Sequence, residues 1–493
     1  MHGGEESDSG VVPMKDSNEG AQALEEKSGG KAADQGEHME QRTSPTPSGE
    51  QDVLTGLQRV RRTAKERQQE RFTTLLHHMT VDLLRDSFAS LKKQAAPGVD
   101  GVTWEEYEQG LEDRLVDLHG RVHRGAYRAQ PSRRIYIPKP DGRKRPLGIA
   151  ALEDKIVQQA VVTVLNEIYE ADFLGFSYGF RPGRGAHRAL DALSVGIVRR
   201  KVNWILDADI RGFFDSMSHE WIDRFVQHRI ADPRLLRLIR KWLKAGVSEE
   251  GEWSETKVGT PQGAVISPLL ANVYLHYAFD LWVDAWREKI AKGDLIVVRY
   301  ADDLVVGFEH RTEAEQFLSE FKERLAKFGL ELHGEKTRLI EFGRHAEASR
   351  QQRGEGKPET FTFLGFTHIC AKRQKTGTFL VLRRTDKKKM RQALKRIGQQ
   401  LQARMHDSPA QAGAWLQRVL RGYYGYFAVP FNNSTLSVFR YRLQLRWRHV
   451  LRRRSQRARF DWRCFGRLCD RWLPIPRILH PYPEQRFNAL YPR

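Results

Sequence analysis

Cysteine is scarce: three in 493 residues, too few for a disulfide framework, and none forms the Cys-x-x-Cys pair of a structural zinc site. Long apolar runs are missing as well. No stretch approaches the roughly 20 residues of a membrane helix, and the N-terminus lacks the apolar core of a secretory signal. Large apolar residues are sparse in residues 1–50, which carry 11 acidic and 4 basic side chains among many Gly and Ser. Such a segment cannot bury enough surface to offset its ordering entropy, so it reads as a disordered acidic extension. At the other end acidic residues run short, with 26 Lys and Arg against 5 Asp and Glu over 383–493. From these absences a secreted, membrane-spanning or disulfide-stapled protein is not expected. The net charge of +20, gathered in the C-terminal quarter, points to a polyanionic partner.

Periodicity divides the rest. Residues 72–91 place Leu75, Leu76, Met79, Leu83, Leu84 and Phe88 at helical spacing, Pro97-Gly98 breaks the pattern, and 104–118 predicts another helix. Ile135 and Ile137 alternate with polar residues, Pro140-Asp141-Gly142 supplies a turn and Leu147-Gly148-Ile149 returns, which is a basic hairpin. Residues 156–168 read as a buried helix, and 203–209 and 295–308 as strands. From Arg383 onward the pattern is helical and arginine-rich. An α+β body over about 71–370 is expected.

The chemistry concentrates in two places. In 295–308, two apolar β-branched runs flank Ala301-Asp302-Asp303, a hairpin with adjacent carboxylates at its tip. Neighbouring strand residues point to opposite faces, so the two aspartates can approach one metal only where a tight turn bends the chain. A pair of divalent cations needs further carboxylate. The strand 203–209 runs into Asp207 and Asp209, then Gly212-Phe213-Phe214-Asp215. Asp207 and Asp209 share a strand face, and geometry alone does not choose between them.

Asp209-Ile210-Arg211-Gly212-Phe213-Phe214-Asp215 with Tyr300-Ala301-Asp302-Asp303 resembles the palm of reverse transcriptases. The hairpin with Arg145-Pro146-Leu147-Gly148-Ile149 is similar to the basic fingers block, and Phe176-Ser177-Tyr178-Gly179-Phe180-Arg181-Pro182-Gly183 to the block after it. Gly259-Thr260-Pro261-Gln262-Gly263 through Ser267-Pro268-Leu269-Leu270-Ala271-Asn272, Gly329-Leu330 to Lys336-Thr337, and Phe363-Leu364-Gly365-Phe366 follow in order. Together they resemble the group II intron-encoded reverse transcriptase and maturase family over about 71–490. The resemblance implies a right-hand polymerase of α+β class with an antiparallel palm sheet, fingers and palm over 51–370. An all-helical thumb and maturase domain over 371–472 and a tail over 473–493 would follow.

The resemblance also selects Asp209 over Asp207 and implies that Asp209, Asp302 and Asp303 hold two Mg²⁺ ions, with deoxynucleoside triphosphates as substrates. Magnesium suits an all-oxygen site that borrows substrate phosphates. Phe214 takes the position of a ring that would clash with a 2′-hydroxyl, core packing being the alternative. Lys139 and Arg145 would bind the triphosphate, and Gln262 lies in a glycine-flanked turn that backbone can bring close to a nucleotide. Lys336 belongs to the same site or to the surface. Ser267 then Pro268 reads as a helix N-cap followed by proline at the first helical position.

Phe439, Leu443, Trp447, Val450 and Leu451 form one helical stripe. Arg440, Arg442, Arg446, Arg448 and Arg452, followed by Arg453 and Arg454, are left for phosphates. The rings of Tyr423, Tyr424, Tyr426 and Phe427 either stack on bases or pack a core. The implied partners are an intron RNA template and a DNA primer or target, with no membrane, in a prokaryotic cytoplasm or nucleoid. A homodimer is among the partner arrangements this reading allows. Many members of the family end in a cysteine-rich endonuclease. Cys464 and Cys469 have the wrong spacing for one, so no endonuclease is expected. Two other readings share the scaffold: a splicing factor with incidental polymerase activity, and a domesticated enzyme of repair or defence. The complete acidic set argues against a pure RNA binder.

Overall fold

Among the described residues, apolar alternation and β-branched runs build three sheets. The structure is a computed structural model describing residues 48–138, 144–249, 251–256, 258–261, 263–454 and 461–490. The acidic extension expected over 1–50 falls almost wholly outside these. In chain order the strands are β1 (Ser132–Pro138), β2 (Lys144–Ile149), β3 (Trp204–Asp209), β4 (Val247–Glu249), β5 (Glu252–Ser254) and β6 (Leu295–Tyr300). They continue with β7 (Asp303–Phe308), β8 (Arg338–Glu341), β9 (Phe361–Phe363), β10 (Phe366–Lys372) and β11 (Phe379–Thr385). β1 and β2 pair antiparallel as read, the Pro140-Asp141-Gly142 turn lies outside the described residues, and β4 and β5 extend the sheet in the order β2-β1-β4-β5. β9, β10 and β11 form a small antiparallel sheet.

The central sheet is antiparallel, in the order β6-β7-β3-β8. Successive residues of a strand point to opposite faces, and each face meets its own core. Leu206, Ala208, Leu304, Val306 and Phe308 pack with the helices Leu152–Asp172, Ser267–Leu275 and Arg311–Ala326. Ile205, Val298, Val305 and Ile340 pack with the helix Ala186–Arg199, the β9–β11 sheet and the helices Lys387–Ala403, Pro409–Phe427 and Asn433–Arg452. A sheet covered on both sides explains why β7 after Asp303 reads as an unbroken apolar run. Among the described residues no helix is long and apolar enough to cross a membrane.

Several sequence expectations change. The region expected to be all-helical from 371 begins with strand: β11 pairs with β10 residue for residue from Phe366↔Thr385 to Lys372↔Phe379. Helix starts only at Lys387, where the Asp386 carboxylate caps the Lys389 amide. The helix expected over 72–91 is confined to Val81–Ser90 after a 3-10 turn at Leu76–His78. The buried Asp232 carboxylate accepts the Leu75 and Leu76 amides at 2.8 and 3.0 Å, which takes those donors out of a helix. The helix expected over 104–118 is two, Trp104–Glu108 and Leu111–His123, parted at Gly110 (φ 77°). Ser267 is no cap. It lies inside the helix, Pro268 follows it, and its hydroxyl donates to the Pro261 carbonyl at 3.2 Å.

Candidate active site

At the end of the central sheet, apolar residues give way to acids. In β3 and β7, Asp209 stands directly opposite Asp303, and in β6 and β7, Tyr300 stands opposite Asp303. Cross-strand partners project to the same face about 5 Å apart, so the carboxyl groups of Asp209 and Asp303 share one face. Ala301 and Asp302 form the two-residue turn between β6 and β7, and Asp302 and Asp303 are 5% and 7% exposed. The adjacent pair at a bend, anticipated from the sequence, is therefore found beside Asp209. Among the described residues no group of three or more acidic, His or Cys side chains is drawn tightly enough, as the side chains lie, to enclose an ion.

Asp207 and Asp209 do share a strand face, but their surroundings differ. Asp207 lies opposite Val305 and Arg338, with Arg338 Nη2 3.8 Å from its carboxylate. Burial pushes the Asp207 carboxyl up to about 7; Arg338 opposes the shift, while the charges of Asp303 and Asp209 add to it. Asp209 instead meets Lys336, whose Nζ lies 3.1 Å from Oδ2. The chain reaches that point because 330–336 runs beside the end of β3. There the Arg211 amide donates to the Glu331 carbonyl, and His333 donates its amide to the Asp209 carbonyl. Of the two sequence readings for Lys336, the structure thus has it at the acidic site rather than on the open surface.

Phe214 is 8% exposed, in a short helix (Phe213–Ser216) that follows Gly212. Its carbonyl accepts the Thr260 amide at 2.9 Å. A Cβ at Gly259 would come within 2.8 Å of that carbonyl oxygen, so glycine lets the next loop lie against Phe214. Lys139 and Gln262 lie outside the described residues. Arg145 is held in β2, opposite Ile137.

Sequence reasoning missed the support beneath the acidic turn. Arg299, fully buried, forks onto Asp280 with Nε–Oδ1 2.7 Å and Nη2–Oδ2 2.6 Å. Its Nη1 donates to Asn272 Oδ1 at 2.9 Å and to the Ala301 carbonyl at 3.1 Å. Asn272, His276 and Asp280 are buried polar residues at four-residue spacing in an otherwise apolar helix. That spacing was the available signal.

The C-terminal arginines divide into two kinds. On the helix Asn433–Arg452 the expected stripe Phe439, Leu443, Trp447, Val450 and Leu451 is buried, and Arg442, Arg446, Arg452 and Arg453 are exposed. Arg440 is turned inward, donating through Nε and Nη2 to the Leu473 carbonyl at 3.1 and 3.0 Å. Arg448 packs 3.8 Å over the Trp462 ring, and Arg454 is half-buried. The aromatic run resolves as core: Tyr423 stacks on Phe439 with centroids 3.8 Å apart, and Tyr424 and Phe427 are buried.

Residues 137–368 match the reverse transcriptase (RNA-dependent DNA polymerase) family. The chain is 36% identical over 247 residues to Protein YkfC of Escherichia coli (strain K12), an alignment covering 44% of this chain and 64% of that protein. It is 35% identical over 225 residues to Group II intron-encoded protein LtrA of Lactococcus lactis subsp. cremoris, covering 45% of this chain and 37% of that one. To Nuclear intron maturase 2, mitochondrial, of Arabidopsis thaliana it is 30% identical over 112 residues, 21% of this chain and 15% of that protein. The chain spans less than two thirds of the length of each of these relatives.

Proposed function

From the premise that residues 137–368 form a reverse transcriptase domain of the kind carried by group II intron-encoded proteins, we propose that this chain is an RNA-directed DNA polymerase. It would also bind intron RNA and assist its splicing. The observation that carries the polymerase reading is the pairing of Asp209 with Asp303 beside the buried Asp302 turn. Hard carboxylate oxygens suit Mg²⁺, and the Lys336 ammonium 3.1 Å from Asp209 is a cation already accepted by that carboxylate. Asp209, Asp302 and Asp303 would hold two ions. When bound, these would ease attack of the primer 3′-hydroxyl on the α-phosphate and neutralise charge on the departing pyrophosphate.

The chain's own residues supply the rest of the site. Phe214, nearly buried and wedged against the Gly259–Thr260 backbone, would set the floor beneath the incoming sugar and exclude a 2′-hydroxyl. Arg145 on its hairpin, with Lys139 and Gln262, would bind the triphosphate. Lys336 would exchange Asp209 for a substrate phosphate. The exposed Arg442, Arg446, Arg452 and Arg453 would engage RNA phosphates, on a helix with no acidic residue. The names of the relatives support the intron partner: one is a group II intron-encoded protein and another an intron maturase. Purified protein should extend a DNA primer on an RNA template with deoxynucleotides only when Mg²⁺ is present. No extension under any divalent cation would overturn the reading.

A further inference from the structure

We propose that Arg299 is the positioning residue of the carboxylate turn: through Asp280 and Asn272 it fixes where Asp302 and Asp303 stand relative to Asp209. The inference rests on the polymerase reading above. The turn needs an external hold, because Ala301 has φ 55°, a left-handed conformation that strains any non-glycine residue. The hold arrives from beneath. One guanidinium grips three elements at once: Asn272 on the helix Ser267–Leu275, Asp280 at the end of the π-helical turn His276–Asp280, and the Ala301 carbonyl in the turn itself. Turns of this rare kind occur preferentially at functional positions.

A second brace comes from the backbone of residues 178–179. Asn272 Nδ2 donates to the Gly179 carbonyl at 2.8 Å, and the Tyr178 amide donates to the Arg299 carbonyl at 2.8 Å. A Cβ at Gly179 would fall 2.3 Å from the Ala301 nitrogen, so that strand of backbone is pressed directly against the turn.

Stability alone does not account for the pair. Arg299 and Asp280 side chains are both 0% exposed. Buried ion pairs contribute little net stability, and apolar replacements of both partners are often neutral or better. What the pair does supply is direction: four of the five N–H donors of one side chain are committed to fixed acceptors, in the rigid fork that a guanidinium imposes.

The test uses the full chain carrying Arg299→Met with Asp280→Leu, which removes both charges and leaves neither orphaned, beside Arg299→Lys, which keeps the charge and loses the fork. Hydrogen exchange at the 301–303 amides, Mn²⁺ affinity without nucleotide, primer–template affinity and single-turnover extension are measured together. In the double variant, exchange at 301–303 is expected to accelerate by about tenfold or more. Mn²⁺ affinity is expected to fall. The extension rate should drop by about tenfold or more at little-changed dNTP affinity, with primer–template binding retained. Arg299→Lys is expected to fall between, and it decides the question if the double variant does not fold. Wild-type exchange and Mn²⁺ affinity in the variants would overturn the proposal. If the wild-type chain does not extend a primer, the polymerase reading fails, and exchange and Mn²⁺ binding still decide the positioning claim.

Discussion

Asp209 lies directly across the strand pair from Asp303, whereas Asp207, two residues earlier on the same face, lies across from Val305 beside Arg338. The two aspartates of β3 are thus equivalent by pattern and different by neighbour. Asp209→Asn is expected to lower single-turnover extension by roughly 10³-fold, the several kcal/mol attached to an ion-binding carboxylate. Asp207→Asn is expected to cost less than about tenfold. Similar losses in both would mean that the cross-strand pair does not define the site.

Phe214 separates sugar selection from packing. Phe214→Val is expected to raise incorporation of ribonucleotides relative to deoxynucleotides by roughly ten- to a hundredfold, the discrimination that a steric contact of this size provides. Competitive incorporation on one template measures the ratio. An unchanged ratio with a lowered melting temperature would assign the ring to the core alone.

Much of the site was legible because its signals are local. Alternating and β-branched runs gave β3, the β6–β7 hairpin and the shared face of Asp207 and Asp209. The support under the turn was legible only as a polar stripe at Asn272, His276 and Asp280, not as a pair, since Arg299 and Asp280 sit on a strand and a helix and become partners only when the sheet packs on that helix. β11 was hidden by its arginines: Arg383 is buried against Asp191 at 2.6 Å, so a charge that reads as surface helix is an interior strand position. Arg440 misleads in the same way, because a helical wheel assigns it to the polar face and only the later segment supplies the Leu473 carbonyl it binds.

The arginines of the helix Asn433–Arg452 should separate accordingly. Reversing Arg442, Arg446 and Arg452 to Glu is expected to weaken RNA binding and flatten its salt dependence by about one unit of slope for each arginine that pairs with a phosphate. Arg440→Gln is expected to lower the melting temperature and leave that slope unchanged. A salt titration of RNA affinity distinguishes them, and the reverse assignment would contradict the division.

Acid sensitivity should include a contribution from His368, fully buried and stacked on Phe361 with centroids 4.6 Å apart. Burial, reinforced by Arg383, holds its imidazole down to about 3. The folded state therefore binds fewer protons than the unfolded one between that value and the ordinary 6.5, and stability is full above the unfolded value and falls as pH drops below it. Between pH 6.5 and 5 the loss is on the order of 2 kcal/mol. Urea unfolding at pH 7 and pH 5 is expected to show a smaller loss for His368→Phe than for wild type; equal losses would place the sensitivity elsewhere.

The most direct measurement is single-turnover extension of a DNA primer on an RNA template by wild-type protein and by Asp302→Ala, with primer–template affinity recorded for both. If the three aspartates are the catalytic centre, wild type extends the primer in a Mg²⁺-dependent manner, the variant does not, and both bind the primer–template equally. Equal extension by the two proteins would contradict that assignment.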